Sequence, residues 1–137
     1  MKLTKTSEYA LRILAFMATD EDRLFTARYL VSKLKISDKY LRRLMTDLTR
    51  AGLILSIQGR DGGYRFAKRT EEIRLADVIN VVEGMNTYSG CVLGFCNCSD
   101  ENPCAMHDIW VSVRTEFLKV FEENNLKSLD FNKITKY

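Results

Sequence analysis

Apolar residues recur at intervals of three and four along the first fifty residues, which predicts three helices that each bury one face. Thr4, Thr26 and Ser37 precede these runs, and a hydroxyl at that position can accept a hydrogen bond from the first helical turn. Residues 35–36 leave room only for a tight turn between the second and third helices, and Gly52 ends the third. The pattern therefore predicts a helix-turn-helix.

The following segment has the pattern of a β-hairpin. Residues 53–57 and 64–66 favour strands, and the sequence QGRDGG at 58–63 between them is a glycine-rich turn. Its place directly after the third helix predicts that the hairpin is a wing.

Two more helices are expected beyond the hairpin. Leu75–Glu83 is periodic and ends at Gly84, and residues 86–103 have little periodicity and are predicted to be a loop. A long helix then carries one apolar stripe: Met106, Ile109, Trp110, Val113, Phe117, Val120 and Phe121. This stripe is wider than a lone peripheral helix can hide, so we expect a partner helix to cover it.

Charge divides the chain into two unlike halves. Residues 1–70 hold 15 basic and seven acidic residues, a net charge of +8, whereas residues 71–137 hold six and 11, a net charge of −5. A basic N-terminal half suits a polyanionic partner, and with the helix-turn-helix it indicates nucleic acid.

Together these features predict a mainly α fold, a winged helix-turn-helix DNA-binding domain with a long C-terminal dimerisation helix. We expect a DNA-binding domain over 1–84, a cysteine-rich loop over 85–104, the dimerisation helix over 105–124, and a tail over 125–137 that is mobile from residue 126. No apolar run approaches the length of a membrane span, and the N-terminus lacks the apolar core of a signal peptide, so a cytoplasmic location is expected.

In a helix-turn-helix, the second helix enters the major groove of DNA by its N-terminal residues. The polar residues at that position are Ser37, Lys39, Tyr40, Arg42 and Arg43. Because adjacent residues point about 100° apart on a helix, we expect one of the two arginines to face the groove and the other to contact phosphate.

In the hairpin, Arg60 lies at the tip of the glycine-rich turn and is a candidate for minor-groove contact. Tyr64 is a candidate for phosphate contact. For Tyr64, as for Tyr40, packing in the core is an equally good interpretation. A surface hairpin and a helical pair with a solvated basic face are the alternatives for the whole surface.

Four cysteines and the only histidine of the chain lie within seventeen residues, as Cys91, Cys96, Cys98, Cys104 and His107. Thiolates are ligands for zinc, copper and iron–sulfur clusters, and the intervening glycine and asparagines let a short loop wrap around a metal. The three-residue spacing from Cys104 to His107 puts both side chains on one helical face. His107 is thus a candidate fourth ligand, with capping or a surface role as its alternative.

The spacings match neither a zinc ribbon nor a bacterial ferredoxin, so the residues alone do not name the metal. Zinc, direct thiol sensing, a disulfide and buried unreactive thiols stay open. An iron–sulfur electron carrier is a further alternative, although the sequence lacks a flavin or nicotinamide signature.

The chain resembles the Rrf2 family of bacterial transcription regulators over nearly its whole length. The resemblance lies in LTKTSEYALRIL (3–14), SDKYLRRLMTDLTRAGLI (37–54), IQGRDGGY (57–64), LADVINVVEG (75–84) and SDENPCAMHDIW (99–110). It implies a winged-helix domain, a long helix that pairs two subunits, and a cluster loop whose iron state tunes affinity for operator DNA or changes which operators are bound. We therefore expect a homodimer that binds a palindromic DNA operator and is not an enzyme.

The resemblance also implies three cysteine ligands, which match Cys91, Cys98 and Cys104. The spacing from Cys91 to Cys98 is one residue longer than is common in the family, so Cys96 is a rival ligand. IscR-like members use a histidine matching His107 for a [2Fe–2S] cluster, which we favour. NsrR-like members use a carboxylate of the partner subunit for a [4Fe–4S] cluster, and Glu8 stands at about that position. Some members lack a cluster.

Overall fold

The computed structural model describes residues 2–133 and has six α-helices and one two-stranded sheet over that range. The helices are α1 (Lys5–Ala18), α2 (Ala27–Leu34), α3 (Asp38–Arg50), α4 (Leu75–Val82), α5 (Asn86–Ser89) and α6 (His107–Glu122), and the strands are β1 (Ile54–Ile57) and β2 (Gly63–Phe66). The prediction of a mainly helical fold is confirmed. Within the described residues, no helix is long and apolar enough to span a membrane.

The first three helices begin where the sequence predicts. The side chains of Thr4, Thr26 and Ser37 accept hydrogen bonds from the backbone N–H three residues later, at 3.4, 3.1 and 3.3 Å. Lys35 ends α2 with a left-handed backbone (φ 57°, ψ 38°), which turns the chain into α3 within three residues. The helix-turn-helix is therefore built from two local signals, a capping hydroxyl and a tight turn.

The core lies where α1, α3 and α4 meet. Each helix contributes fully buried aliphatic side chains, among them Ile13, Leu41 and Ile79. Ile73 and Leu126 are also completely buried, and the backbone N–H of Leu126 donates to the carbonyl oxygen of Ile73 at 3.0 Å. This core holds α3 with its polar face toward solvent.

The hairpin is anchored to the helical core through its second strand. β1 and β2 pair antiparallel, with Ile57 opposite Gly63. Phe25 and Tyr64 exchange two backbone hydrogen bonds of 2.8 and 2.7 Å, which attach β2 to the segment before α2. A Cβ atom at Gly63 would lie 2.6 Å from the carbonyl oxygen of Phe25, so this close approach requires glycine.

The apolar residues of α6 divide between two faces. Phe117 packs against Tyr88 and Phe121, with ring centroids 5.6 and 5.1 Å apart. An adjacent face exposes Ile109, Val113 and Val120 by 68, 50 and 51%. The stripe predicted from the sequence is therefore divided: α4 and α5 cover some of its residues and leave an outer apolar row exposed.

Two local predictions are corrected. The loop expected over 86–103 begins with a helical turn, α5, whose Tyr88 is buried. The tail expected to be mobile instead packs through Leu126, and short 3-10 turns cover Leu126–Ser128 and Phe131–Lys133. The last four residues of the predicted tail, 134–137, lie outside the described residues.

Candidate nucleic-acid interface and metal centre

The N-terminal half of α3 presents a cationic face to solvent. Lys39, Arg42 and Arg43 are exposed, and Ser37 caps the helix at the same end. Arg42 Nε–H donates to both carboxylate oxygens of Asp38, at 2.9 and 3.1 Å. The Asp38 bond and charge raise the pKa of Arg42 above its usual value. Four of the five predicted groove residues therefore lie on an accessible surface.

The fifth predicted residue of α3, Tyr40, is half-buried. Its hydroxyl donates to Thr6 Oγ1 at 3.0 Å, and its ring lies edge-on against Tyr9 with centroids 5.6 Å apart. These contacts fit the packing interpretation of Tyr40 and join α3 to the first turn of α1.

The wing extends the polar surface beside α3. Arg60 is exposed at the turn, and Tyr64 is half-buried where β2 joins Phe25. A cleft between the wing and α3 is lined by Arg42, Gln58 and Tyr64. The structure thus brings Arg42 of α3 and Tyr64 of the wing to one cleft.

Three of the four cysteines come together. The Sγ atoms of Cys91, Cys98 and Cys104 all lie within 4.8 Å of one another, with 3.6 Å between those of Cys91 and Cys104. These are the three cysteines that the sequence resemblance selects. Cys96 is exposed and lies outside the group, although it lines the same pocket.

His107 adjoins this cysteine group and is 8% exposed. Its Nδ1 lies 3.3 Å from Cys98 Sγ, and its Nε2 lies 2.8 Å from Asp100 Oδ1. A neutral imidazole that donates from Nε2 to a carboxylate keeps the Nδ1 lone pair available, which is the usual arrangement of a metal-ligating histidine. Asp100 is a residue that sequence reasoning missed.

Glu8 lies apart from the cysteine group of its own chain. It is half-buried on α1, where it pairs with Lys5 at 3.2 Å and Lys2 at 3.9 Å. Its predicted role as a ligand supplied to the partner subunit concerns a second chain.

The thiols of the cysteine group differ in acidity. Backbone N–H groups of Phe95 and Leu93 lower the pKa of Cys91 to about 7 against the effect of burial. The backbone of Cys104 lowers the pKa of Cys98, but burial and the neighbouring thiols outweigh it and raise that pKa above its usual value. The Cys91 thiolate therefore forms readily, whereas Cys98 resists a second negative charge beside it. A bound cation would relieve this repulsion.

α6 anchors the start of the cysteine loop. Trp110 Nε1–H donates to the carbonyl oxygen of Gly90 at 3.0 Å, and Arg114 Nη1–H donates to that of Ser89 at 2.9 Å. The i, i+4 spacing of Trp110 and Arg114 places them on one helical face. Cys91 is thus held by the same helix that begins with His107.

Glu83 joins the loop base to α1. Its Oε1 accepts hydrogen bonds from Thr4 Oγ1 at 2.6 Å, Tyr88 Oη at 2.6 Å, and the fully buried Ser7 Oγ. Burial alone raises the pKa of Glu83, but the bonds from Ser7, Thr4 and Tyr88 outweigh it and hold the pKa below its usual 4.5. The sequence carries no periodic signal for this long-range network.

Comparison with known proteins places these features in context. The sequence profile of the Rrf2 family, described as iron-dependent transcriptional regulators, matches residues 3–130. The HTH-type transcriptional regulator NsrR of Halalkalibacterium halodurans is 32% identical over 131 residues, which cover 94% of this chain and 90% of that protein.

Two solved structures have the same fold. CymR, the global cysteine regulator of B. subtilis, superposes with a TM-score of 0.77 at 23% identity, over 93% of this chain and 95% of that one. IscR of T. potens superposes with a TM-score of 0.73 at 22% identity, over 93% of this chain and 85% of that one. The predicted winged helix-turn-helix fold class is thereby confirmed.

Proposed function

The chain belongs to the Rrf2 family of transcription regulators, and from that membership we propose that it is a cytoplasmic homodimer whose binding to a palindromic operator is tuned by an iron–sulfur cluster. Proteins of this family are DNA-binding regulators and not enzymes. The observation that carries the proposal is the convergence of Cys91, Cys98 and Cys104 within 4.8 Å, in a chain that also presents a basic recognition helix.

The proposed DNA contacts divide by element. Lys39, Arg42 and Arg43 of α3 face the major groove and its phosphates, and Ser37 orients the helix N-terminus. Arg60 enters the minor groove from the wing. Tyr40 and Tyr64 act through the packing that places these two elements, with phosphate contact as a secondary role.

The proposed dimer forms through the outer row of α6. Ile109, Val113 and Val120 are spaced by four and seven residues, so they lie on one helical face. Three large aliphatic residues exposed by half or more on one face are suited to pack against the same row of a second copy. Such an isologous interface has the two-fold symmetry of a palindrome.

The donor set fits a cluster. Cys91, Cys98 and Cys104 would supply three thiolates, and either His107 or Glu8 of the partner subunit would supply the fourth ligand, for a [2Fe–2S] or a [4Fe–4S] cluster respectively. A bound cluster would give the site redox-sensitive chemistry. The chain's own part is to hold the thiolates on a loop that Trp110 and Arg114 tie to α6.

Zinc is the second candidate, because the short distance between two of the thiols also suits a single tetrahedral ion. Tetrahedral zinc with bonds of about 2.3 Å to sulfur places its thiolates about 3.8 Å apart. The 3.6 Å between the Sγ atoms of Cys91 and Cys104 is close to that value. In this alternative the DNA-binding function is the same and the group senses zinc or thiol oxidation.

Metal analysis separates these candidates. Protein purified without oxygen is assayed for iron, sulfide and zinc, together with its visible absorption. The cluster proposal predicts iron and sulfide in equal amounts, their loss in Cys98→Ser, and their retention in the matched control Cys96→Ser. Loss in either His107→Ala or Glu8→Ala identifies the fourth ligand. Stoichiometric zinc without iron, or a colourless protein after anaerobic reconstitution, overturns the cluster.

A further inference from the structure

The side chain of Arg42 is already paired before any DNA is present. Its Nε–H group donates to both oxygens of Asp38, one helical turn earlier, at 2.9 and 3.1 Å. Both side chains lie at the surface, 55 and 59% exposed, so the pair is part of the outer face of α3. This arrangement restrains a long side chain at the end of the helix that is proposed to enter the groove.

The pairing decides which part of the guanidinium group is available. Arginine has five N–H bonds, and Asp38 takes the one on Nε, which leaves the four on the two Nη atoms. Their outer edge forms the fork that donates two parallel hydrogen bonds to O6 and N7 of guanine. A side chain already restrained loses less conformational freedom when it makes those bonds.

The position of Arg42 suits this role. It lines the cleft between α3 and the wing, opposite Gln58 and Tyr64. A duplex contacted by both elements would lie against this cleft.

We propose that Asp38 is a specificity-determining residue, which holds Arg42 so that its Nη edge recognises a guanine in each half of the operator. This inference rests on the proposed DNA-binding function. Because the Asp38 carboxylate repels phosphate, it lowers affinity for all DNA while it sharpens the choice of base.

The test measures base preference. Sites are first selected from random double-stranded DNA by wild-type protein, and fluorescence anisotropy then gives the affinity for the selected site and each single-base variant. We expect one guanine per half-site whose replacement weakens wild-type binding by about 5- to 100-fold. Arg42→Ala should abolish that preference, and Asp38→Asn should reduce it at least about threefold at the same position.

Two controls separate this role from a structural one. Asp47→Asn removes the same charge from the same helix nine residues later and should keep the wild-type base profile. Partial unfolding of a variant lowers affinity for all sequences by one factor and leaves their ratios unchanged. We also expect Asp38→Glu to restore part of the lost preference and Asp38→Asn to bind unrelated DNA at least as tightly as wild type.

Three results would overturn the proposal. One is an Asp38→Asn profile identical to wild type, and another is a loss spread evenly over all positions. The third is an Arg42→Ala variant that keeps every base preference. A wild-type protein that enriches no sequence contradicts the proposed DNA-binding function itself, and this inference with it.

Discussion

Replacing Glu83 with alanine should destabilise the protein strongly, because one carboxylate oxygen satisfies three hydroxyl groups. Ser7 is completely buried and Tyr88 is 7% exposed, so neither hydroxyl can readily turn to bulk water, whereas Thr4 is exposed and can. A buried donor left without an acceptor costs about 1–3 kcal/mol. Two such donors predict a loss of about 2–6 kcal/mol in the free energy of unfolding.

Urea unfolding followed by circular dichroism measures this loss, at one fixed protein concentration because dimerisation would add to the stability. Glu83→Gln keeps an acceptor oxygen but loses the charge, so we expect an intermediate loss of about 1–2 kcal/mol. Glu72→Ala, at an exposed carboxylate, is the matched control and should stay within about 0.5 kcal/mol of wild type. A Glu83→Ala variant as stable as that control would refute the reasoning.

Three further predictions concern the Glu83 network, the wing and the recognition helix. The folded pKa of Glu83 is below 4.5, so the contribution of its charge to the free energy of unfolding is complete above pH 4.5 and is lost as the pH falls through the folded pKa. Wild type and Glu83→Gln should therefore converge in stability in acid. Gly63→Ala should weaken operator binding at least about tenfold, because it displaces the wing from Phe25. Gly90→Ala is the control and should not weaken binding, because a Cβ atom there meets nothing within 4 Å. Equal affinities of the two variants would contradict the anchoring of the wing. Arg43→Ala should make the fall of log affinity with log salt concentration less steep by about 1, and an unchanged slope would exclude a phosphate contact.

Local signals made the DNA-binding half predictable. A capping hydroxyl and an apolar period lie within one or two helical turns, so Thr4, Thr26 and Ser37 mark the true starts of α1, α2 and α3. The wing is similarly short in range, because a glycine-rich turn joins its two strands.

Contacts distant in sequence were harder to predict. α5 has four residues, too few to show a period, and Leu126 is buried by backbone pairing with Ile73, more than fifty residues away. The family resemblance matched Cys98, but the longer spacing from Cys91 left Cys96 as a rival, because loop residues can turn either thiol inward. The structure brings Cys98 into the group and leaves Cys96 outside it.

The most direct test of the account compares operator affinity and footprint for one anaerobic preparation before and after its metal group is removed, and again after reconstitution. Coupling between two sites of a protein usually changes affinity by about 5- to 150-fold. The account predicts a change of that order, reversed on reconstitution and absent in Cys98→Ser. Identical affinities and footprints in all states would contradict the claim that the cysteine group tunes DNA binding.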